Sequence, residues 1–240
     1  LNGGLIEVRL IKPGTPFRPV FYESISQLVK AMPQDIQEQN GFNVYFGVCP
    51  RSRQEGTKDA VKEVRALWAD IDGKDFTNGK EEALKCLQKF PFSSTMLLDS
   101  GHGYHAYWRL KEPVKIHSAD DIANIERSLK GLAQALKADP HAAEIARVLR
   151  LPDTHNLKDP SSPVPVTLIH IEPNHQYNLS DFELFQPLKE SGTFDKSNSD
   201  GWISQSLNNL QEGNRNATFA KITGRLHREG WLADDILSLL

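Results

Sequence analysis

Cysteine is scarce: Cys49 and Cys86 lie far apart in 240 residues and form no Cys-x-x-Cys pair. That excludes a readable zinc ribbon or disulfide framework, so no zinc is expected and a reducing cytoplasm fits. No apolar run approaches membrane-spanning length and no signal-peptide pattern is visible, so no membrane role is expected. An excess of positive charge is also missing. With 28 Lys and Arg against 31 Asp and Glu, the formal net charge is −3. Nucleic-acid binding draws much of its affinity from phosphate neutralisation, so a uniformly basic binder is excluded. A basic groove on an acidic protein is not. Internal repeats and low-complexity tracts are absent. What remains is ordinary globular composition, 39% hydrophobic and 25% charged, with room for one sizeable domain and a small one. The start at Leu1 and the end at Leu240, inside an apolar run, suggest a piece of a longer protein.

The pattern along the chain alternates strands and helices. Strands are expected at residues 5–11, 17–22 and, most clearly, 42–48 (Phe-Asn-Val-Tyr-Phe-Gly-Val), with a short helix after Ser24. Residues 49–57 read as a loop carrying Arg51 and Arg53, with Lys58 just beyond. Val64, Leu67, Trp68 and Ile71 lead into a buried strand that ends in Asp70-Ile71-Asp72. Ala83, Leu84, Leu87 and Phe90 mark an amphipathic helix from about Lys80, ended by Pro91. Ile122, Ile125, Leu129, Leu132, Ala133 and Leu136 mark a longer one. Ser118-x-x-Asp121 resembles a capping box at its start. Residues 164–171 read as a strand that Pro165 places at a sheet edge, and a short helix begins at Asp181. Residues 188–201 read as a polar linker, and 202–240 as a partial helical domain.

Strand side chains alternate faces, so Asp70 and Asp72 point the same way, roughly 7 Å apart at the backbone. Two like charges that close are unfavourable unless a cation or a shared proton sits between them. Mg²⁺ and Mn²⁺ take carboxylate and phosphate oxygens, so the pair suits a metal cradle for phosphoryl transfer; a solvated strand end is the alternative. Neutralising both acids is expected to leave the fold intact and its stability unchanged or slightly higher, since a repulsion is removed. Strands at 95–99 and 104–110 then flank the turn Ser100-Gly101-His102-Gly103, whose glycines supply positive φ or close backbone approach. His105, Tyr107 and Arg109 share one face of the second strand. Tyr104, Ala106 and Trp108 share the other, with Trp108 in the core.

Asp-x-Asp, then Ser100-Gly-x-Gly-x-His-x-Tyr-Trp108, then Arg147-Val-Leu-Arg-Leu-Pro152 with Thr154, Asn156 and Lys158, resembles the archaeo-eukaryotic primase superfamily. The similarity is to its RepB-like primase-polymerases of plasmids, phages and other mobile elements, and it covers roughly residues 40–172. The resemblance implies an α/β (α+β) fold: an RRM-like antiparallel-sheet core with an N-terminal α/β unit over 1–187, the active site in the cleft between them, and a small helical domain after it. It implies a DNA primase-polymerase, a nucleotidyltransferase that extends chains from nucleoside triphosphates on a single-stranded DNA template, with a helicase domain or partner beyond residue 240.

The resemblance also implies roles. Asp70 and Asp72, with a third carboxylate, would hold two divalent ions, Mg²⁺ or Mn²⁺. Asp139 matches the family's Asp-Pro position and is taken as the third. Glu144 is the alternative, or else a partner of Arg147 at helical i,i+3 spacing. His105, Arg147, Arg150, Asn156 and Lys158 would hold the triphosphate. Guanidiniums suit phosphate because they bind it bidentately and stay charged, and Arg147 and Arg150 share a face if their segment is helical. Surface salt bridges are the plain alternative. Arg51, Arg53 and Lys58 would face template. Asp153 stands where the family has Gly, so the turn there is expected to differ. The C-terminal helices would assist chain initiation. Two rival functions use the same residues. A metal-dependent nuclease or phosphohydrolase would need a water-activating base rather than a triphosphate clamp. A non-catalytic nucleic-acid-binding module would expose aromatics on the central strands, Tyr107 among them.

Overall fold

The structure is a computed structural model that describes residues 4–35 and 41–186. The expected linker at 188–201 and helical domain at 202–240 lie outside the described residues. The fold is mixed α and β, built on two sheets with helices packed against them, as the resemblance implies.

The first sheet has the order β2-β1-β3-β7. Its strands are β1 (Ile6–Ile11), β2 (Arg18–Tyr22), β3 (Asn43–Gly47) and β7 (Val148–Arg150), all paired antiparallel. Alternation in β1 sends Val8 and Leu10 inward, where they meet Tyr22, Val44 and Leu28 of helix α1 (Ile25–Asp35) in a small core. The second sheet is built round the long strand β6 (Gly103–Lys115). β6 pairs antiparallel with β4 (Glu63–Asp72) and with β5 (Met96–Asp99), and parallel with the short β10 (Gln176–Tyr177). β5 continues the sheet to β9 (Val164–Ile171), which also pairs with β8 (Thr154–Asn156).

Helix α2 (Gly79–Lys89) joins β4 to β5, and α3 (Ala119–Leu136) follows β6. The chain order β4-α2-β5-β6-α3 with spatial order β4-β6-β5 is the RRM-like βαββα unit. The place beside β4 where a fourth strand would run is taken by the segment after α3, through one bond from Asp139 N–H to the Asp70 carbonyl at 2.8 Å. A 3₁₀ turn at Leu179–Phe185 stands where a short helix is expected after Asp181.

The expected stripes form the main core. Ala83, Leu87 and Phe90 from α2, and Ile125, Leu129, Leu132, Ala133 and Leu136 from α3, pack with Trp68 and Trp108. Both tryptophans are buried, and each finds an acceptor for its indole N–H. Trp68 donates to the Ala142 carbonyl at 2.9 Å and Trp108 to that of Phe92 at 2.8 Å. An apolar ring with a satisfied donor can sit in a core at little cost. The Trp68 bond also pins the turn after Asp139 against β4. The Ser118–Asp121 capping box at the start of α3 is complete.

One expectation is corrected here, and one condition is not met. β9 is not an edge strand: β8 pairs with its first residues, and Pro165 lies in register opposite His155. The short β8 takes the outer position instead. Residues 147–150 are not helical. The Arg147 carbonyl accepts from Val48 N–H at 3.1 Å, and β7 then pairs with β3, because the open side of β3 offers unpaired backbone groups at that point.

Candidate active site

Asp70 lies opposite His105 in the β4–β6 register, which brings together two residues 35 positions apart in sequence. The turn that sets this register uses its glycines in two ways. Gly101 has φ +96°, a conformation that strains any L side chain. Gly103 approaches β4 so closely that a Cβ there would meet the Ile71 carbonyl oxygen at 2.0 Å. Lys80 of α2 holds the same turn. Its Nζ lies 2.6 Å from both carboxylate oxygens of Asp99 and 3.0 Å from the Gly101 carbonyl, which it bonds.

Around this register a cleft of about 160 Å³ opens between the two sheets. Asp70, Asp72, His102 and His105 line it from the second sheet; Tyr45, Arg147 and Arg150 line it from the first, with Asn156 and Lys158 from β8 and its end. His105 Nε2 lies 3.4 Å from Asp70 Oδ1, and Arg147 Nη2 lies 3.3 Å from Asp70 Oδ2. The same Arg147 nitrogen is 3.5 Å from Asp139 Oδ2. Burial acts to raise the Asp70 pKa. The hydrogen bond and charge of His105 and the charge of Arg147 outweigh it and hold the carboxyl below its ordinary value. The expected gain in stability on neutralising Asp70 and Asp72 is therefore not supported. Asp70 faces His105 and Arg147, and Asp72 accepts from Lys74 Nζ at 2.6 Å, so neither acid depends on the other for relief.

The carboxylates fit a hard cation in part. Asp70 and Asp139 already direct oxygens at one positive charge, that of Arg147. Asp72 stands apart with Lys74. Among the described residues, no group of three or more His, Cys, Asp or Glu side chains is placed to hold a metal ion. In this arrangement the cations that the three acids face are those of Arg147 and Lys74. Glu144 points elsewhere. Its carboxylate is 3.9 Å from Lys58 Nζ, it is not among the cleft residues, and its link to Arg147 is a backbone bond of 3.0 Å from Arg147 N–H to the Glu144 carbonyl.

Three buried polar atoms gather here without a hydrogen-bond partner among the described residues: His105 Nδ1, Arg147 Nε and the Tyr107 hydroxyl. Tyr107 is buried beside Phe46, with ring centres 6.3 Å apart. Burial, with the Asp70 charge adding to it, pushes the phenol well above its usual pKa. The exposed stacking surface expected of a non-catalytic binder is therefore not present at Tyr107.

The rest of the basic set divides. Arg150 packs over the Tyr45 ring at 4.9 Å and donates to Asn43 Oδ1 at 2.5 Å. Both ends of the Asn156 amide are engaged by backbone. Nδ2 donates to the Ser100 carbonyl at 2.8 Å, and Oδ1 accepts from Lys158 N–H at 3.0 Å. Asn156 thus shapes the cleft wall, and Lys158 is carried into the cleft by it. Asp153 has φ +61°, so the turn expected to differ keeps a left-handed residue, with Asp doing what Gly does more easily.

The template expectation fails for Arg51, which is wholly buried, ion-paired to Glu7 at 2.7 Å and bonded to the Ala146 carbonyl at 2.8 Å. A buried guanidinium needs such partners, and Glu7 is the only acid whose ion pair with it is seen among the described residues. Arg53 is ion-paired with Glu55 at 2.8 Å and with Asp59; Lys58 is ion-paired with Glu126 at 2.7 Å. Neither lines the cleft. The neighbouring Cys49 is buried, and burial pushes its thiol up to about 12, which leaves it inert.

Pattern reading passed over Asn43, Tyr45 and Lys80. A buried Asn in the otherwise apolar run Phe42-Asn43-Val44 was the available signal for the first.

No protein-family model matches the chain, and no curated protein matches it. Solved structures do. The primase-polymerase (PrimPol) AEP domain of cyanophage S-2L aligns at 16% identity and a TM-score of 0.56, over 77% of this chain and 90% of that one. The catalytic domain of primase RepB′, solved in complex with initiator DNA, aligns at 14% identity and a TM-score of 0.52, over 76% and 83%. A further structure of primase RepB′ aligns at 13% and 0.50, over 76% of this chain and 55% of that one. The chain therefore shares its fold with these primase and primase-polymerase catalytic domains. Among the described residues no helix is long and apolar enough to cross a membrane.

Proposed function

We propose that the chain is a primase-polymerase catalytic domain that transfers nucleotides from nucleoside triphosphates to a growing strand on single-stranded DNA. The observation that carries this is one cleft where Asp70 and Asp139 meet Arg147, with His105, Arg150 and Lys158 on its walls, in a fold shared with primase catalytic domains. A nuclease needs a base beside an attacking water. Among the described residues His105 is the cleft histidine in contact with an acid, and its Nε2 is turned to Asp70 rather than to open space. Replication of a mobile element is the setting this reading suggests, since one neighbour is a cyanophage protein. A helicase unit working with this domain belongs to the same proposal.

Each residue has a task. Asp70, Asp139 and, once freed from Lys74, Asp72 would hold Mg²⁺ or Mn²⁺. When bound, such ions lower the pKa of a strand's 3′-hydroxyl and neutralise charge on the transferred phosphate. Arg147, which faces both acids, would turn its fork to phosphate oxygens where an ion neutralises those acids. His105 Nδ1 and Arg147 Nε are buried without a partner among the described residues, and an ordered water or a phosphate group would satisfy them. Arg150, backed by the Tyr45 ring, presents a guanidinium whose charge persists despite burial.

The deciding experiment gives the 240-residue chain primed single-stranded DNA, nucleoside triphosphates and Mg²⁺ or Mn²⁺. Primer extension supports the proposal; strand cleavage without extension supports a nuclease; binding with neither overturns both. A second expectation concerns the clamp. His105→Ala, Arg147→Ala and Arg150→Ala should each weaken triphosphate binding about ten- to a hundredfold, the worth of one or two charge-assisted hydrogen bonds. DNA affinity should change less. Parallel losses in both, measured by titration, would assign these residues to the template.

A further inference from the structure

Asn43 opens β3, and its side chain is buried between the two sheets. One atom of it, Oδ1, accepts two hydrogen bonds from distant parts of the chain. Arg150 Nη1 donates at 2.5 Å from β7, and Leu157 N–H donates at 2.8 Å from the end of β8. The first partner is a clamp guanidinium. The second is the residue between Asn156 and Lys158, so the same oxygen fixes the start of the segment that carries Lys158 into the cleft. A carbonyl oxygen has two lone pairs, and here each serves one wall of the site. The Tyr45 ring, two residues along β3, covers the Arg150 guanidinium at 4.9 Å. The clamp arginine is thus held from two directions by one strand.

We propose that Asn43 is the positioning residue of the triphosphate clamp, holding the Arg150 guanidinium and the Lys158 segment in one fixed geometry through a single shared oxygen. The inference rests on the nucleotidyl-transfer reading above. Arg150 carries long, flexible torsions, and a guanidinium left to wander would have to be ordered anew at each binding event. Fixing it beforehand removes that cost from nucleotide binding. The orientation matters more for a substrate whose phosphate chain reaches both walls than for one that touches a single group.

The test is a double-mutant cycle between Asn43 and Arg150 in the whole 240-residue chain. A fluorescent nucleoside triphosphate, and its monophosphate as control, is titrated with Mg²⁺ present and template absent, so that no turnover occurs. Asn43→Ala should weaken triphosphate binding about tenfold and monophosphate binding much less. In an Arg150→Ala background it should do little more, giving a strongly non-additive cycle. Asn43→Asp keeps an oxygen in the same place and should recover most of the lost affinity. Melting curves accompany each variant; should Asn43→Ala fail to fold, Asn43→Ser, which keeps a polar group but lacks the amide, replaces it in the cycle. Additive losses, equal losses for tri- and monophosphate, or an Asp variant no better than Ala would each overturn the assignment. Wild-type protein that takes up no triphosphate would overturn the functional reading and this inference together. Normal wild-type binding with an additive cycle would remove Asn43 alone.

Discussion

Asp70→Asn is expected to abolish primer extension, with a loss of about a thousandfold or more, the scale on which removing a preorganised electrostatic group slows an enzyme. Three relations converge on this carboxylate. It lies opposite His105 across the strand pair, it faces Arg147, and its own carbonyl accepts the Asp139 amide that brings the second acid alongside. Among the described residues no other acid of the cleft is in contact with both His105 and Arg147. The variant should also melt earlier, not later. Burial disfavours the Asp70 charge, and His105 and Arg147 more than compensate. Replacing the carboxylate with an amide leaves those two groups partly buried with a weaker acceptor. A loss of about 1–3 kcal/mol follows from weakening such charge-assisted bonds, at roughly 2–4 °C per kcal/mol for a domain of this size. The measurements are extension on primed single-stranded DNA and a thermal melt without metal. Extension near the wild-type rate would remove Asp70 from the chemistry. A raised melting temperature would show that repulsion from Asp72 outweighs the contacts with His105 and Arg147.

Asp139→Ala should be nearly as damaging, and Glu144→Ala should not. Asp139 is held by its backbone bond to Asp70, by its place at the start of a short 3₁₀ turn, and by a His141 N–H that donates to its Oδ1 at 2.9 Å. Those restraints leave Oδ2 directed at Arg147, beside Asp70. Glu144 is five residues further on, half exposed, and turned toward Lys58 on the outside of the cleft. An acid can share a cation with Asp70 only from the first position. Extension by Asp139→Ala should fall by about a hundredfold or more, while Glu144→Ala stays within a few-fold of wild type. The reverse pattern would move the third carboxylate to Glu144 and require the 139–147 segment to refold when substrate binds.

Several features were legible before any coordinates. The two helix stripes, the capping box at Ser118, the strand ending in Asp70 and Asp72 and the turn with two working glycines are all local patterns. Their physics acts over a few residues, and the structure keeps every one of them. The order of three separated motifs also led to the right fold. Side-chain destinations were another matter. Arg51 and Arg53 are two residues apart in one basic loop, yet one is buried against Glu7 and the other lies at the surface. Nothing within a few positions of either distinguishes them.

By itself, the sequence determined most of the described strands and the two long helices, which faces those helices bury, and that paired acids, a histidine and two arginines are candidates for one site. Tertiary structure alone decided how that site is wired. The partner of Arg147 is 77 residues away and the partner of Arg150 is 107 residues away. The pairing of β7 with β3, which a helical reading of 147–150 excludes, is what carries both arginines to the cleft. Periodicity fixes the face on which a side chain leaves its own element. Only the packing of distant elements fixes what it meets there, because hydrogen bonds and ion pairs act within a few ångströms in space, whatever the separation along the chain.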